Sequence, residues 1–374
     1  MYAMIRRISE WCGQWCGSGA GGDAVDPRAG GPYADRMNFQ SDNAAAACPE
    51  VLAAVVAANV SSPAAYDDDV WTERLNAVYS EVFSTSCTVL PVSTGTAANA
   101  LALAAMVPPY GAVACHAEAH IHVDECGAPE FFTGGAKLLL CQGVDGKLSP
   151  QSITESLAAH RGGAHQVQIG ALSLTQATEC GTIYTPDEVA ALSEMARSRG
   201  WKVHMDGARF ANALVSLGCH PGDLTWRAGI DILSLGAIKN GGMTAEAMVI
   251  FDPGLVETIR FRRKRAGQMP SKGRFNAAQL LAYVETSAWL RNAGAANAGA
   301  GRLAAAIGWR LVYPVQANEV FAAIGPRGPA RLRDKGFLFY DWGAPADHVA
   351  RFVVAWDTPA AEIDALAAAV GDLD

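Results

Sequence analysis

From about residue 85 the chain alternates short apolar, β-branched runs with longer runs of helical period. The strand-like runs are TVLPV (88–92), AVAC (112–115), KLLLC (137–141), QIGALSL (168–174), KVHMD (202–206), DILSL (231–235) and EAMVIF (246–251). Between several of them lie AANALALAAM (97–106), ARFANALVSLG (208–218) and PDEVAALSEMARSRG (186–200), the last with Pro186 placed to start a helix and Gly200 to stop it. Strand, helix, strand implies a crossover, so the rhythm predicts an α/β fold with a mainly parallel sheet. In such sheets ligands bind beyond the carboxyl ends of the strands, so the residues that follow strand ends are where chemistry is to be sought.

Three of those stretches carry distinctive residues. LSLGAIKNGGM (233–243) puts Lys239 just past a strand with Gly241 and Gly242 beside it, neighbours that a solvated lysine does not need. VSTGTAAN (92–99) reads as a strand, a Thr94-Gly95-Thr96 turn and a helix. The N–H groups and positive end of such a helix can hold a phosphate; the plainer alternative is an ordinary helix capped by Thr96. KVHMDGARF (202–210) ends a strand on Asp206, with Gly207 allowing close approach and Arg209 on the next helical turn, and the plainer alternative there is a buried structural Asp–Arg pair.

Lys239 follows Asp206 by 33 residues, one helix plus one strand, which makes it the next crossover of the sheet. A phosphate cradle, a lysine for a Schiff base and a carboxylate that keeps a pyridine nitrogen protonated are together what pyridoxal 5'-phosphate requires. Any one of them is a weak signal; the three at one sheet edge are a strong one.

With these motifs the sequence resembles the low-specificity L-threonine aldolases, among the fold type I enzymes that use pyridoxal phosphate. The resemblance runs through FQSDN (39–43), YDDD (66–69), STGTAANALAL (93–103), EAHIHVDECGAPEFFTGGAK (118–137), HMDGARFANAL (204–214), LSLGAIKNGGM and RRKRAGQMPSKGRF (262–275). It implies aldol cleavage of β-hydroxy-α-amino acids such as L-threonine, L-allo-threonine or phenylserine to glycine and an aldehyde. It also implies a homodimer or homotetramer with shared active sites, and places YDDDVWTERL (66–75) near the subunit boundary.

The resemblance implies roles residue by residue. Lys239 forms the Schiff base, with the small residues after it letting the cofactor lie against the backbone, and Asp206 pairs with the ring nitrogen. Thr94, Gly95 and Thr96 hold the phosphate, and His120 lies on the ring and assists proton transfer. Arg209 contacts the cofactor or the substrate carboxylate, with Ser41 and Arg351 completing a clamp whose guanidinium fork matches a carboxylate. Lys264 and Lys272 reach a phosphate across a subunit interface, against the plain reading of a solvated charge cluster.

One departure touches the chemistry. Many members of the family carry a second histidine in the loop that here reads ALSLTQATECGTIY (171–184), where this chain has Thr178 and Glu179. Thr178 is therefore an expected substrate contact, His120 the leading base, and Glu179 a further candidate if burial raises its pKa. His122 would face away from His120 on an extended segment, an argument that lapses on a helix. A zinc hydrolase built on CHAEAHIHVDEC, with Cys115, His116, His120, His122, Asp124 and Cys126, is the remote alternative; it lacks HExxH spacing and leaves Lys239 and Asp206 without a task, so no metal is expected. Aminotransferases and β-eliminating lyases share the lysine and the aspartate and remain the nearer rivals, along with a binding protein that lacks catalysis.

The 374 residues exceed one usual core, and the expected division is an extension (1–36), a large cofactor domain (37–285) and a small α+β domain (286–374). FNAAQLLAYVETSAWLRNA (275–293) is expected as one helix leading into the small domain, which carries strand-like runs at 310–324, 338–342 and 351–358. The extension is rich in Gly, Ala, Asp and Pro, so neither targeting nor a metal or disulfide role for Cys12 and Cys16 is expected. A net charge of −8 without a long basic block argues against nucleic-acid and anionic-membrane partners, and no apolar run approaches the roughly 20 residues of a membrane span. Nine cysteines, odd in number and irregularly spaced, suit a reducing cytoplasm.

Overall fold

The strand-like runs pair into one sheet in a computed structural model that describes residues 36–373 apart from Ser62. Apart from Arg36, the extension with Cys12 and Cys16 lies outside the described residues. Counting strands of three or more residues, the central sheet holds β1 (Thr88–Val92), β2 (Gly111–His116), β3 (Lys137–Cys141), β4 (Gln168–Thr175), β5 (Lys202–Gly207), β6 (Ile232–Leu235) and β7 (Glu246–Ile250). Their order is β1-β7-β6-β5-β4-β2-β3, and β7 alone runs opposite to the other six. Every residue of β2, β6 and β7 is buried, as expected of strands covered on both faces, which is why these segments read as near-continuous apolar runs.

Counting helices of eight residues or more, α1 (Pro49–Ala57) and α2 (Val70–Phe83) precede the sheet, and α3 (Gly95–Met106), α4 (Pro186–Ser198) and α5 (Phe210–Leu217) fall between its strands. After the sheet come α6 (Val256–Arg265), α7 (Arg274–Glu285), α8 (Ala288–Ile307) and α9 (Ala360–Gly371). One sheet face packs on α3 and α6 through Leu90, Leu101, Ile232, Met248 and Ile259; the other buries Tyr79, Phe83, Phe210, Leu214 and Leu280. Pro186 opens α4 as anticipated, and Thr185 with Glu188 completes a capping box. The cap of α3 is Thr94, whose Oγ1 accepts from Ala97 N at 3.0 Å, and not Thr96, because the helix already begins at Gly95.

The stretch 275–293 is two helices and not one. Thr286 ends α7, its Oγ1 donating back to Ala282 O at 2.7 Å, and Ser287 turns left-handed at φ 56°, so α8 leaves in a new direction. The C-terminal strands are shorter than the apolar runs suggested: β8 (Glu319–Ala323), β9 (Tyr340–Trp342) and β10 (Val349–Val353) form an antiparallel sheet in the order β9-β10-β8. The expected boundary at 285/286 falls on the α7–α8 turn, and Asn38–Asp374 forms one compact unit. Among the described residues no helix is long and apolar enough to cross a membrane.

Candidate active site

Parallel strands deliver their following residues to one edge, and five of them meet there around a cavity of about 370 Å³. Thr94, Gly95 and Thr96 come from the end of β1, His120 from the segment after β2, Glu179 from the loop after β4, Asp206 and Arg209 from β5 and Lys239 from the turn after β6. Because β7 is antiparallel, its first residue, Glu246, arrives at the same edge and lines the same cavity. The aspartate, the lysine and the helix start, 144 residues apart at the extremes, are thus neighbours because the strands that carry them share direction.

Asp206 is buried at 4% exposure, with Oδ1 accepting from Ala208 N at 3.0 Å and Oδ2 from Asn99 Nδ2 at 2.8 Å. Asn99 also donates to Glu125 Oε1 at 2.8 Å, and the same oxygen lies 2.9 Å from His120 Nδ1. One buried amide therefore bridges two carboxylates, and the second of them holds the imidazole. The hydrogen bond to Glu125, assisted by Asp206 and Glu179 against burial, raises the His120 pKa. With Nδ1 held by a carboxylate, the assignable neutral tautomer carries its proton there and leaves Nε2 as the acceptor. The segment His120–Val123 is helical, so the alternation argument about His122 lapses; His122 is exposed and does not line the cavity.

Lys239 sits on a single 3₁₀ turn, Ile238–Asn240, and its Nζ has no hydrogen bond or ion pair among the described residues. Glu246 Oε2 accepts from the N–H groups of Ala237 and Ile238, fixing the turn from inside, and burial pushes its carboxyl up to about 7. The neighbouring glycines do not line the cavity, which corrects the expectation that they let a ligand approach the backbone. Gly241 is needed for a left-handed turn at φ 100°, where it packs on Cys48 and Asn292, and Gly242 lies against the Ala237 carbonyl.

The arginines form a second cluster. Arg209 is buried and makes a two-pronged pair with Asp42, Nε to Oδ2 and Nη2 to Oδ1, both at 2.9 Å; Asn318 Nδ2 adds a bond to Asp42 at 3.0 Å. Burial works against both charges, yet the pairing wins: Asp42 is held below the usual carboxylate range and Arg209 above the usual guanidinium range. Arg351, on β10, donates Nε and Nη2 to Glu319 Oε1 at 3.0 and 2.7 Å. Glu319 Oε2 stands 3.4 Å from Arg209 Nη1, so one buried carboxylate lies between the two guanidiniums. Glu179, in the cavity wall, is pushed up to about 7 by burial and by Glu319 and Asp206, with His120 and Lys239 opposing.

Other anticipated residues are not at the cavity wall of the single chain. Ser41 caps a short turn through Asn43 N, while Asn43 lines the cavity instead. Thr178 is buried within its own loop, bonded to Thr182 Oγ1 at 2.7 Å, and its place on the wall is taken by Ala177 and Glu179. Lys272 is exposed and Lys264 lies over the Tyr66 ring at 4.3 Å. The metal grouping weighed from the sequence does not converge: His116 is engaged by Glu118 N and Gly143 O and lines another cavity. Among the described residues, the His, Cys, Asp and Glu donors that come within 4.8 Å of one another are His120, Glu125 and Asp206. Asp42, Asn99, Glu125, Glu246 and Glu319 were not anticipated; only Asp42, inside FQSDN, and Glu246, a charge heading a buried strand, left a local signal.

Pyridoxal phosphate fits these residues. Asn99 Oδ1 and Glu125 Oε2, on residues that line the cavity, are buried without partners, atoms that a folded chain seldom leaves unless something else occupies the site. A Cβ built on Gly95 meets nothing within 4 Å, so the first turn of α3 opens onto free space suited to an anion.

A family profile described as beta-eliminating lyase matches residues 38–325. The low specificity L-threonine aldolase of Pseudomonas aeruginosa is 44% identical over 335 residues, 88% of this chain and 96% of that protein. The solved threonine aldolase of Leishmania major superposes with a TM-score of 0.84 at 26% identity, covering 90% of this chain and 99% of that one. Aspartate aminotransferase of Thermus thermophilus, at 14% identity and a TM-score of 0.66, shares the fold alone. The chain belongs to the beta-eliminating lyase family and, within it, to the low-specificity L-threonine aldolases.

Proposed function

We propose that this chain cleaves β-hydroxy-α-amino acids of the threonine type to glycine and an aldehyde with pyridoxal phosphate as its cofactor. The observation that carries the reading is the convergence of Lys239, Asp206 and the open first turn of α3 on one cavity, with His120 beside them. Bound pyridoxal phosphate supplies an electron sink for the pair released when the bond beside the amino carbon breaks. Lys239 is the residue that would hold it covalently, Gly95 and Thr96 would offer N–H groups to its phosphate with Thr94 assisting, and Asp206 would keep the ring nitrogen protonated.

His120 Nε2 takes the proton from the substrate's β-hydroxyl and returns it to the product side, with Glu125 holding the ring through Nδ1. Arg351 and Arg209 draw the substrate carboxylate to one side, which turns the bond to be cleaved; orientation of this sort contributes several kcal/mol to catalysis. Glu179, near neutrality, is the second acid or base facing the same space. We also take the protein to act as a homodimer or homotetramer in the cytoplasm, a reading supported by the family and by the seven described cysteines, all of which are free.

The test is spectroscopic and chemical. The purified protein should carry a visible imine band that borohydride fixes on Lys239, and should release glycine and acetaldehyde from L-threonine. A protein without that band, or Lys239→Ala with wild-type activity, would overturn the proposal. Release of 2-oxobutanoate and ammonia from L-threonine in place of glycine and acetaldehyde would select the eliminating reading, and transfer of its amino group to an added 2-oxo acid the aminotransfer reading.

A further inference from the structure

We propose that Glu319 is an internal occupant of the carboxylate-binding site, so that the substrate's carboxylate binds by competing with it for Arg351 and Arg209. The inference rests on the reading of those two arginines as the carboxylate clamp. Four observations carry it. First, Glu319 is at 1% exposure on β8, yet the partners it has are guanidiniums, one on each side. Second, the pairing with Arg351 is incomplete: Nε and Nη2 both converge on Oε1, whereas a guanidinium fork is best matched by two oxygens, one to each N–H. Third, Oε2 is buried without any hydrogen bond and reaches Arg209 only at 3.4 Å. Fourth, the contrast lies next door, where Asp42 engages Arg209 with both oxygens at 2.9 Å and takes a further bond from Asn318.

Asp42 is therefore a fixed partner and Glu319 a half-made one. Arg351 lies at the edge of this cluster, its guanidinium 5.7 Å from the Trp342 ring, with 13% of its side chain exposed; it does not itself line the cavity, and Glu319 stands between it and Arg209, which does. A buried charge between two cations lowers the positive potential that an amino acid's carboxylate would meet. It also keeps Arg351 from standing unpaired when the site holds no substrate, a state that is costly for a largely buried guanidinium. The price of that arrangement is weaker binding of carboxylates. The loop that carries Glu179 and Gly181 packs directly on Glu319: a Cβ on Gly181 would stand 3.2 Å from Glu319 Cβ, so the glutamate has little room to withdraw and must share the arginines with the substrate.

The experiment uses the holoenzyme and reads ligand affinity from the change in the imine band, with glycine as the carboxylate ligand and glycinamide as the matched amine lacking it. Glu319→Gln keeps the side chain's size and removes the charge. Its expected effect is glycine binding tightened about tenfold, the scale of one charge-assisted interaction, with glycinamide affinity unchanged. Glu319→Asp, which draws the carboxylate back by one methylene, should tighten glycine in the same direction by less, and serves if the glutamine variant does not fold. A purely structural role would weaken both ligands together, and equal or weaker glycine binding in both variants would overturn the proposal. Arg351→Ala separates the two levels: if it leaves glycine affinity untouched, the clamp reading falls and this inference with it, whereas loss of glycine affinity beside unchanged glutamate variants sinks the inference alone.

Discussion

The imidazole of His120 is set by the carboxylate behind it. Glu125 raises the His120 pKa through the hydrogen bond at Nδ1, so the ring stays protonated to a higher pH than a free histidine and becomes a usable base only above it. Glu125→Gln removes that charge while retaining an acceptor. The acid limb of kcat/KM should then move to lower pH and kcat should fall about tenfold or more, as a weaker base transfers protons less readily. His120→Asn should reduce kcat by about 10²–10⁴ and abolish the limb. An unchanged pH profile in Glu125→Gln would assign the limb to another group, of which Glu179 is the first to examine. The sequence marked Asp206 and Lys239 because they stand at or just past a strand end, and His120 because EAHIH resembles the family's motif. It did not mark Glu125 or Asn99, since one lies in a run with Asp124 and Cys126 and the other in the middle of an alanine-rich helix, and nothing local says that 107 residues later Asp206 will accept from that amide.

At the scale of elements, the turns matter as much as the strands. The β6 turn that carries Lys239 is pressed onto the β5 turn that carries Arg209: a Cβ on Gly236 would enter the backbone of Ala208, and Tyr283 from α7 donates to the Gly236 carbonyl at 3.3 Å. Gly236→Ala must push the two turns apart. It should destabilise the protein by about 1–3 kcal/mol, the usual scale for overpacking, and lower affinity for the cofactor. Urea unfolding and cofactor titration measure the two effects, and a variant as stable as wild type with unaltered cofactor affinity would mean that the turns are not coupled. Strands such as β2, β6 and β7 were legible because they are buried on both faces and therefore largely apolar, whereas the break in α7–α8 was not: no proline or glycine marks it, and Ser287 adopts a left-handed conformation. The arginine cluster was half legible for a similar reason. Arg209 and Arg351 drew notice as cations, but their partners Asp42 and Glu319 come from segments 167 and 32 residues away, and only the closed fold shows that the guanidiniums are already paired.

For the whole molecule, the site is a store of unfavourable charge. Glu246 is 7% exposed, and burial first, with Asp206 adding to it and Lys239 opposing, pushes its pKa up to about 7 from the ordinary 4.5. An acid whose folded-state pKa is raised binds more protons folded than unfolded between those two values, so stability must fall as pH rises through that window. Once the pH exceeds both values the loss is complete, on the order of 3 kcal/mol for a shift of this size. Glu246→Gln keeps an oxygen for the Ala237 N–H and cannot ionise, so it should lack this dependence. The measurable quantity is a difference of differences: the stability of the variant relative to wild type, from urea unfolding of the holoenzyme, should grow in the variant's favour between pH 5 and pH 8. Glu179 is present in both proteins and cancels. If the gap between the two proteins were the same at both ends of that range, Glu246 would not be a buried acid near neutrality, and the carboxylate would have to be ionised beside Lys239 from pH 5 upward. The direction of the trend thus decides whether, below neutrality, the turn bearing the lysine is held by a neutral acid or by an anion.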